Sequence, residues 1–313
     1  MREIIRTNKL DYAQVWEKTV TALSNYLEKF KLESMILGIS GGIDSTVVAA
    51  IGREVYKRTG KKLIGLSLMT STNEADEDYA ASLVGSEFCT EYVKCSIETE
   101  YKDFKNMCEH INGEGTKISN GNIKARMRMM ILYDAASINH GIVLDTDNFS
   151  EHELGYFSLH GDEGDLSIMG LWKHEVYEFA HWIKDNIYPG SQALVKSISL
   201  NPTDGNGVAA GGDMGQIAPG CTYNDVDDIL FRFISKIEPY WNEISSGMTQ
   251  NLRTEATKAY QRLQNLNEQY GANIVEGVIK RHINSQFKRW HRPLFIDSES
   301  GEILQNDGEK TNI

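Results

Sequence analysis

Seven residues, Ser40-Gly41-Gly42-Ile43-Asp44-Ser45-Thr46, combine two glycines, three hydroxyls and one carboxylate in a single short run. Adjacent glycines let a backbone turn its N–H groups toward a ligand and approach it closely. Ser40, Ser45 and Thr46 supply hydroxyl donors for oxyanions, and Asp44 can hold a divalent metal against phosphate oxygens. The run lacks the Gly-Lys-Ser/Thr ending of the Walker loop, so it points to a different use of ATP. The plainer alternative is an ordinary tight turn, and the clustered hydroxyls with Asp44 favour phosphate over it. A second candidate is Lys173, placed in the first turn of a predicted helix over 172–186. A cation gains nothing from the helix dipole there, which favours an anionic ligand beside it. His152, His160 and His174 have a spacing that fits no standard metal site and read as surface or hydrogen-bonded histidines.

The elements around the loop alternate. Tyr12, Val15, Trp16, Thr19, Val20, Leu23 and Leu27 recur at helical spacing. The apolar run 35–39 reads as a strand, and the loop leads from it into a helix predicted over 46–57. Further strands are predicted at 63–68, 92–95 and 142–144, separated by helices at 73–88, 97–111 and 119–139. Short strands apolar on both faces and separated by helices indicate an α/β fold: a doubly wound parallel sheet with helices on both faces. Ligands in such sheets bind beyond the carboxyl ends of the strands, where the glycine loop and the residues after Leu144 both fall. The polar stretch 145–171 reads as a long functional loop, and the glycine-rich window 201–220 as a lid or loop. The domain is expected over 1–225, followed by a mostly helical C-terminal section over 226–296 and a frayed polar tail over 297–313.

Composition narrows the classes. The 313 residues are 41% hydrophobic and 24% charged, ordinary for a globular chain able to bury a large core. A net charge of −12 argues against a nucleic-acid surface. Cys89, Cys95, Cys108 and Cys221 show no C-x-x-C spacing and fit thiols in a reducing compartment. No stretch has the length and apolarity to cross a membrane, the N-terminus lacks the apolar core of a signal peptide, and the chain reads as cytoplasmic.

The whole ordering resembles the ATP pyrophosphatase superfamily, with its S-G-G-x-D-S signature, and within it the ammonia-dependent NAD synthetases. Gly121-Asn122-Ile123-Lys124-Ala125-Arg126-Met127-Arg128-Met129 is similar to that family's G-N-x-x-A-R-x-R-M. Thr146 to Glu151, with Gly155-Tyr156-Phe157 and Gly161-Asp162 beyond, resembles its G-T-x-x-x-x-E…G-(Y/F)-F…G-D. The resemblance implies amidation of deamido-NAD with ammonia through an acyl-adenylate, releasing AMP and pyrophosphate. It implies ATP contacts at Gly38, Ile39, Ser40, Gly41, Gly42, Ile43, Asp44, Ser45, Thr146, Lys173 and Thr203. It further implies magnesium (Mg2+) on Asp44 and Glu151, deamido-NAD contacts at Arg126, Asp165 and Lys288, catalytic roles for Asp44 and Lys173, and a homodimer. With only 39 residues ahead of Ser40, no glutamine-using amidase domain fits, so free ammonia or ammonia from a partner is the expected nitrogen source.

The chain departs from the family pattern at several positions. Asp145 stands where the family has glycine, Leu159 where it has lysine, and Phe287 where bacterial members have histidine before Lys288. The 161–165 segment is one residue short, which leaves Asp162 and Asp165 as rivals for one contact. The section over 229–285 is longer than usual. Two other readings fit the same residues: another adenylating enzyme that adds nitrogen or sulfur, and a silent nucleotide-binding relative, for which Asp145 and Leu159 are the best support.

Overall fold

The structure, a computed structural model, describes residues 10–167, 170–203, 218–246, 254–289, 294–297 and 299–304. Helix α1 (Tyr12–Lys29) starts where the Asp11 side chain accepts from the N–H groups of Ala13 and Gln14. Strand β1 (Ser34–Gly38) runs into the glycine loop, and α2 (Ile43–Thr59) ends at Gly60 in the left-handed conformation, φ 73°. Strand β2 (Lys62–Met69), α3 (Ala75–Phe88), β3 (Glu91–Ser96), α4 (Glu98–Asn112), α5 (Lys117–Ile138) and β4 (Gly141–Asp145) follow.

The sheet order is β3-β2-β1-β4, continued by β5 (Leu166–Ser167), β6 (Leu294–Ile296) and β7 (Ile303–Leu304). Every neighbouring pair is parallel except β6 with β7. Met35 sits in register with Leu63 on one side and Ile142 on the other. After β3 the chain crosses through α4 and α5 to the far side of β1. This reversal opens a crevice between β1 and β4 at their carboxyl ends.

Alternation within β1 divides the core. Met35 and Leu37 pack with α1, α2 and α7 (Lys173–Asn186), and Ile36 packs on the other face with Met129 and Leu132 of α5. A third cluster joins Phe149, Leu154 and Trp172 to the C-terminal helices α9 (Tyr223–Lys236), α11 (Thr254–Tyr270) and α12 (Ala272–Asn284). On α9, Val226, Ile229, Leu230 and Phe233 form the buried stripe at helical spacing. Helix α8 (Gln192–Ser199), the short α10 (Trp241–Ser245) and α13 (Gln286–Arg289) complete the set described.

Three expectations change. The stretch 145–171 is not a plain loop, because it holds α6 (Phe149–Leu154) and β5. An Asn148–Glu151 capping box starts α6 and Gly155, φ 57°, stops it, within six helical residues that are too few to show a period. Helix α2 begins at Ile43 instead of 46, which carries Asp44 and Ser45 into its first turn. Part of the tail is ordered by pairing, since Ile303–Leu304 forms an antiparallel edge strand on β6. Most of the glycine-rich window, 204–217, lies outside the described residues.

Candidate active site

A cavity of about 560 Å³ opens at the carboxyl ends of β1, β2 and β4. Its floor is the glycine loop. Gly41 has φ 86°, and a Cβ there would lie 2.4 Å from the Glu77 carbonyl oxygen and 2.7 Å from Ala81 N, so α3 demands glycine. Gly42 caps α2 with no side chain to satisfy the first-turn N–H groups, leaving the positive end of the helix turned to the cavity. Gly42 N donates to Ser40 Oγ (3.2 Å), which lies 3.0 Å from Ser45 Oγ. From behind, Ser197 of α8 donates to the Gly41 carbonyl (2.9 Å) and lies 2.7 Å from Thr46 Oγ1, which fixes the loop's path.

Three charged side chains from three segments meet above this floor. Lys173 Nζ lies 2.5 Å from Asp44 Oδ2 and 3.4 Å from Glu151 Oε1, with the lysine side chain only 3% exposed. Asn148 organises the group: its amide nitrogen donates to Asp44 Oδ1 (3.0 Å) and its amide oxygen accepts from Glu151 N (3.0 Å). Glu151 returns a contact through Oε2 to Asn148 N (3.2 Å), which leaves Oε1 for the lysine. The same capping box that starts α6 therefore aims the second carboxylate. Lys173 opens α7, and its N–H donates to Ser150 Oγ (2.8 Å), whose hydroxyl in turn donates to Asp227 Oδ1. Asp227 Oδ2 accepts from His174 N (3.0 Å) and lies 2.9 Å from His174 Nδ1. Burial pulls His174 down, but the hydrogen bond and charge of Asp227 outweigh it and the imidazole ends above its ordinary pKa. Two carboxylates against one ammonium leave a negative surplus made of hard oxygen donors. That set suits a magnesium ion completed by water and phosphate oxygens.

A second wall comes from the end of the chain. Lys288 of α13 donates to the carbonyls of Gly155 (2.8 Å) and Phe157 (2.5 Å) and sits 5.1 Å from the Phe157 ring centroid. Burial, then the neighbouring Arg281 charge, lowers its pKa. Arg281 of α12 also lines the cavity.

The sequence pattern of the NAD synthase family matches residues 15–270. The chain belongs to the NAD synthase family. An NH3-dependent NAD+ synthetase from Thermococcus sibiricus is 32% identical over 232 residues, covering 72% of this chain and 82% of the relative. One from Mycoplasma genitalium is 37% identical over 213 residues, 66% of this chain and 79% of the relative. Among solved structures, an NMN synthetase from Francisella tularensis superposes with a TM-score of 0.61 at 24% identity, covering 84% of this chain and 97% of that one. At that identity the likeness bears on the fold. As an NAD synthase family member, the chain is a ligase that forms a carbon–nitrogen bond and uses ATP as substrate.

Of the residues that the NAD synthase resemblance assigns, Gly38, Ile39, Ser40, Gly42, Ile43, Asp44, Ser45, Thr146, Glu151, Lys173, Thr203 and Lys288 line the cavity. Gly41 supports the loop from outside, and Thr203 at the rim donates to Glu77 Oε1. Arg126 and Asp165 are not brought to the cavity. Arg126 is exposed and donates through Nε to the Leu159 carbonyl (3.1 Å). Two positions along α5, Arg128 turns inward, lines the cavity and donates to the Leu68 carbonyl (3.0 Å) and Asn73 Oδ1 (3.3 Å). Asp165 is spent on the fold, accepting from Tyr133 OH (2.8 Å) and Val143 N (3.2 Å). Its rival Asp162 lines the cavity and accepts from Ser158 N (2.6 Å); burial holds its pKa above the ordinary aspartate range.

Asp145 and Leu159 are not cavity-lining residues, and the Asp145 carboxylate accepts from Asp147 N (2.9 Å). Sequence reasoning missed Asn148 and Arg281. The Asn-x-x-Glu capping signature could have found Asn148. No local pattern marks Arg281, which reaches the cavity through helix packing alone.

Proposed function

We propose that this chain amidates deamido-NAD with ammonia through an acyl-adenylate, with Asp44, Glu151 and Lys173 handling the phosphates of ATP. The observation that carries this reading is their convergence, from three segments, over an uncapped helix N-terminus and a glycine loop. The loop N–H groups and the hydroxyls of Ser40 and Ser45 would take the outer phosphate oxygens. Asp44 and Glu151 would hold a magnesium ion, which when bound supplies charge neutralisation on the departing pyrophosphate. Lys173 adds a fixed positive charge that Asp44 and Glu151 keep in place until phosphate oxygens compete for it. With ATP so held, the nicotinate carboxylate attacks the α-phosphorus and pyrophosphate leaves. Ammonia then adds to the acyl carbon, a proton is lost to solvent, and AMP departs as the amide forms. On this reading, rate enhancement comes from positioning and charge.

Asp145 and Leu159 were the support for a silent relative, and neither lines the cavity, so that reading loses its footing. The test is incubation with magnesium ATP, deamido-NAD and ammonium. NAD, AMP and pyrophosphate are expected in equal amounts; ADP and phosphate, or ATP bound without turnover, would overturn the proposal.

A homodimer belongs to the same proposal. The apolar stripes of α1 and α9 are buried, whereas α4 exposes Phe104, Met107 and Ile111 at helical spacing, and α5 exposes Met130 and Ile138. Ile111 and Ile138 are each 69% exposed, which favours a second copy covering this face. A monomeric mass in solution would remove that part. The reading places the reaction in the cytoplasm, supported by four free cysteines.

A further inference from the structure

Arg281 sits in the last turn of α12, where helix packing sets its guanidinium 5.1 Å from the Tyr156 ring centroid at the cavity wall. Its Nε is buried and meets no hydrogen-bond acceptor among the described residues. No carboxylate among the described residues lies within ion-pair distance of it. Among the described residues its neighbour Lys288 donates to the carbonyl oxygens of Gly155 and Phe157. The Arg281 charge opposes that of Lys288, and the carboxylates of Asp162, Glu163 and Asp147 act the other way. Stacking alone would be served by an apolar side chain, without the cost of a buried donor left unmade. Two cations beside one cavity, in a chain of net charge −12, are instead arranged for an anion. The planar fork of a guanidinium matches the paired oxygens of phosphate or carboxylate, and the Tyr156 ring holds that plane steady.

We propose that Arg281 is an oxyanion-binding residue of this cavity, receiving phosphate or carboxylate oxygens of a bound substrate beside Lys288. The proposal rests on reading the cavity as the site that joins ATP and deamido-NAD. It gives the C-terminal helices a function, which is to add two cations to the cavity beyond Lys173 and Arg128 of the α/β part.

The test compares Arg281→Gln and Arg281→Lys with the unaltered protein. KM is measured separately for deamido-NAD and for ATP, the affinity for inorganic pyrophosphate is measured by calorimetry, and Tm is recorded. Arg281→Gln is expected to raise one KM at least about tenfold with little change in Tm, and Arg281→Lys to recover part of that loss. A rise for deamido-NAD alone assigns Arg281 to that substrate's oxyanions. A rise for ATP with a parallel loss of pyrophosphate affinity assigns it to the triphosphate. Unchanged KM values and pyrophosphate affinity in a folded variant would overturn the proposal. So would a fall in Tm with no change specific to either substrate. If the unaltered protein fails to turn over deamido-NAD, the reaction assigned above falls. Calorimetric affinities for pyrophosphate and for deamido-NAD, compared between the unaltered protein and Arg281→Gln, then still decide the role of Arg281.

Discussion

Two walls of one cavity are built by opposite means. The floor from Ser40 to Ser45 is contiguous in sequence and held by a strand behind it and a helix ahead of it. The wall carrying Arg281 and Lys288 comes from helices near the end of the chain and reaches the cavity only because α12 packs on α9, α11 and α6. A sheet edge places its loop by backbone hydrogen bonds, and a helical layer places its side chains by the fit of apolar faces. The first kind of wall is specified locally and the second globally. The same contrast separates what each would lose on substitution.

The largest effect is expected at the floor. Asp44→Asn keeps the shape of the side chain but removes the charge that faces Lys173 at 2.5 Å. Turnover is expected to fall about 10³-fold or more, with the far-ultraviolet circular dichroism spectrum unchanged. A loss of under about tenfold would take Asp44 out of the chemistry and leave the floor as a structural turn.

The joint between the walls comes next. Glu153 of α6 is buried among His152 (3.1 Å), His282 (3.3 Å) and Arg289 (3.7 Å), so it ties the segment of Glu151 to α12 and α13. Burial alone would raise its pKa. The His152 hydrogen bond and the charges of His152, His282 and Arg289 prevail and lower it to about 2. A carboxyl with a lower pKa folded than unfolded stabilises fully above its unfolded value, near 4.3, and loses that contribution as pH falls toward 2. Glu153→Gln is therefore expected to cost about 3 kcal/mol at pH 7, and less at pH 3. Urea unfolding at both values checks this, and a pH-independent difference would show that the charge is not what joins the walls.

A smaller loss is expected at Gly41, where alanine would meet the α3 backbone and hold φ 86°. Gly41→Ala should lower stability by about 2 kcal/mol and weaken ATP binding. Unchanged ATP affinity in the folded variant would show that the loop tolerates a shifted floor.

The contrast also explains what could be read from the sequence. Strands β1, β2 and β4 carry short apolar runs buried in the sheet, whereas β3 lies at the sheet's edge and is mostly exposed rather than apolar on both faces. The alternation of strands with helical segments made the order of elements legible. Short elements were not: α6 and β5 hold too few residues to show a period, and β7 exists only because β6 offers an edge. In the site, the glycine loop, Glu151 and Lys173 follow from motifs. Motif position named Arg126 and left Asp162 and Asp165 as rivals; Arg128 and Asp162 line the cavity, while Arg126 and Asp165 do not. Side-chain direction depends on which face of an element is covered, and a motif does not state that.

Asp227 decides how far the helical layer controls the floor without touching it. It lies on α9 and is 2% exposed. Its two carboxylate oxygens hold the Ser150 hydroxyl, the His174 N–H and the His174 ring, while Ser150 Oγ accepts the Lys173 N–H. The α9 carboxylate thus anchors the start of α7 and, through it, the lysine between Asp44 and Glu151. Asp227→Asn removes the charge and keeps one acceptor oxygen. With that oxygen on the two His174 donors, its amide must donate to Ser150 Oγ, which reverses the hydrogen bond beside the Lys173 N–H. A displaced Lys173 would serve the phosphates less well while deamido-NAD binding stays intact. The expected result is a fall in kcat of roughly tenfold with the KM for deamido-NAD little changed. The pH profile adds a second readout, because the Asp227 charge supports the raised His174 pKa. Any inflection from His174 should move to lower pH in the variant. Unaltered kcat and profile would mean that the floor stands by its own sheet and loop, with α9 serving only to carry the outer wall.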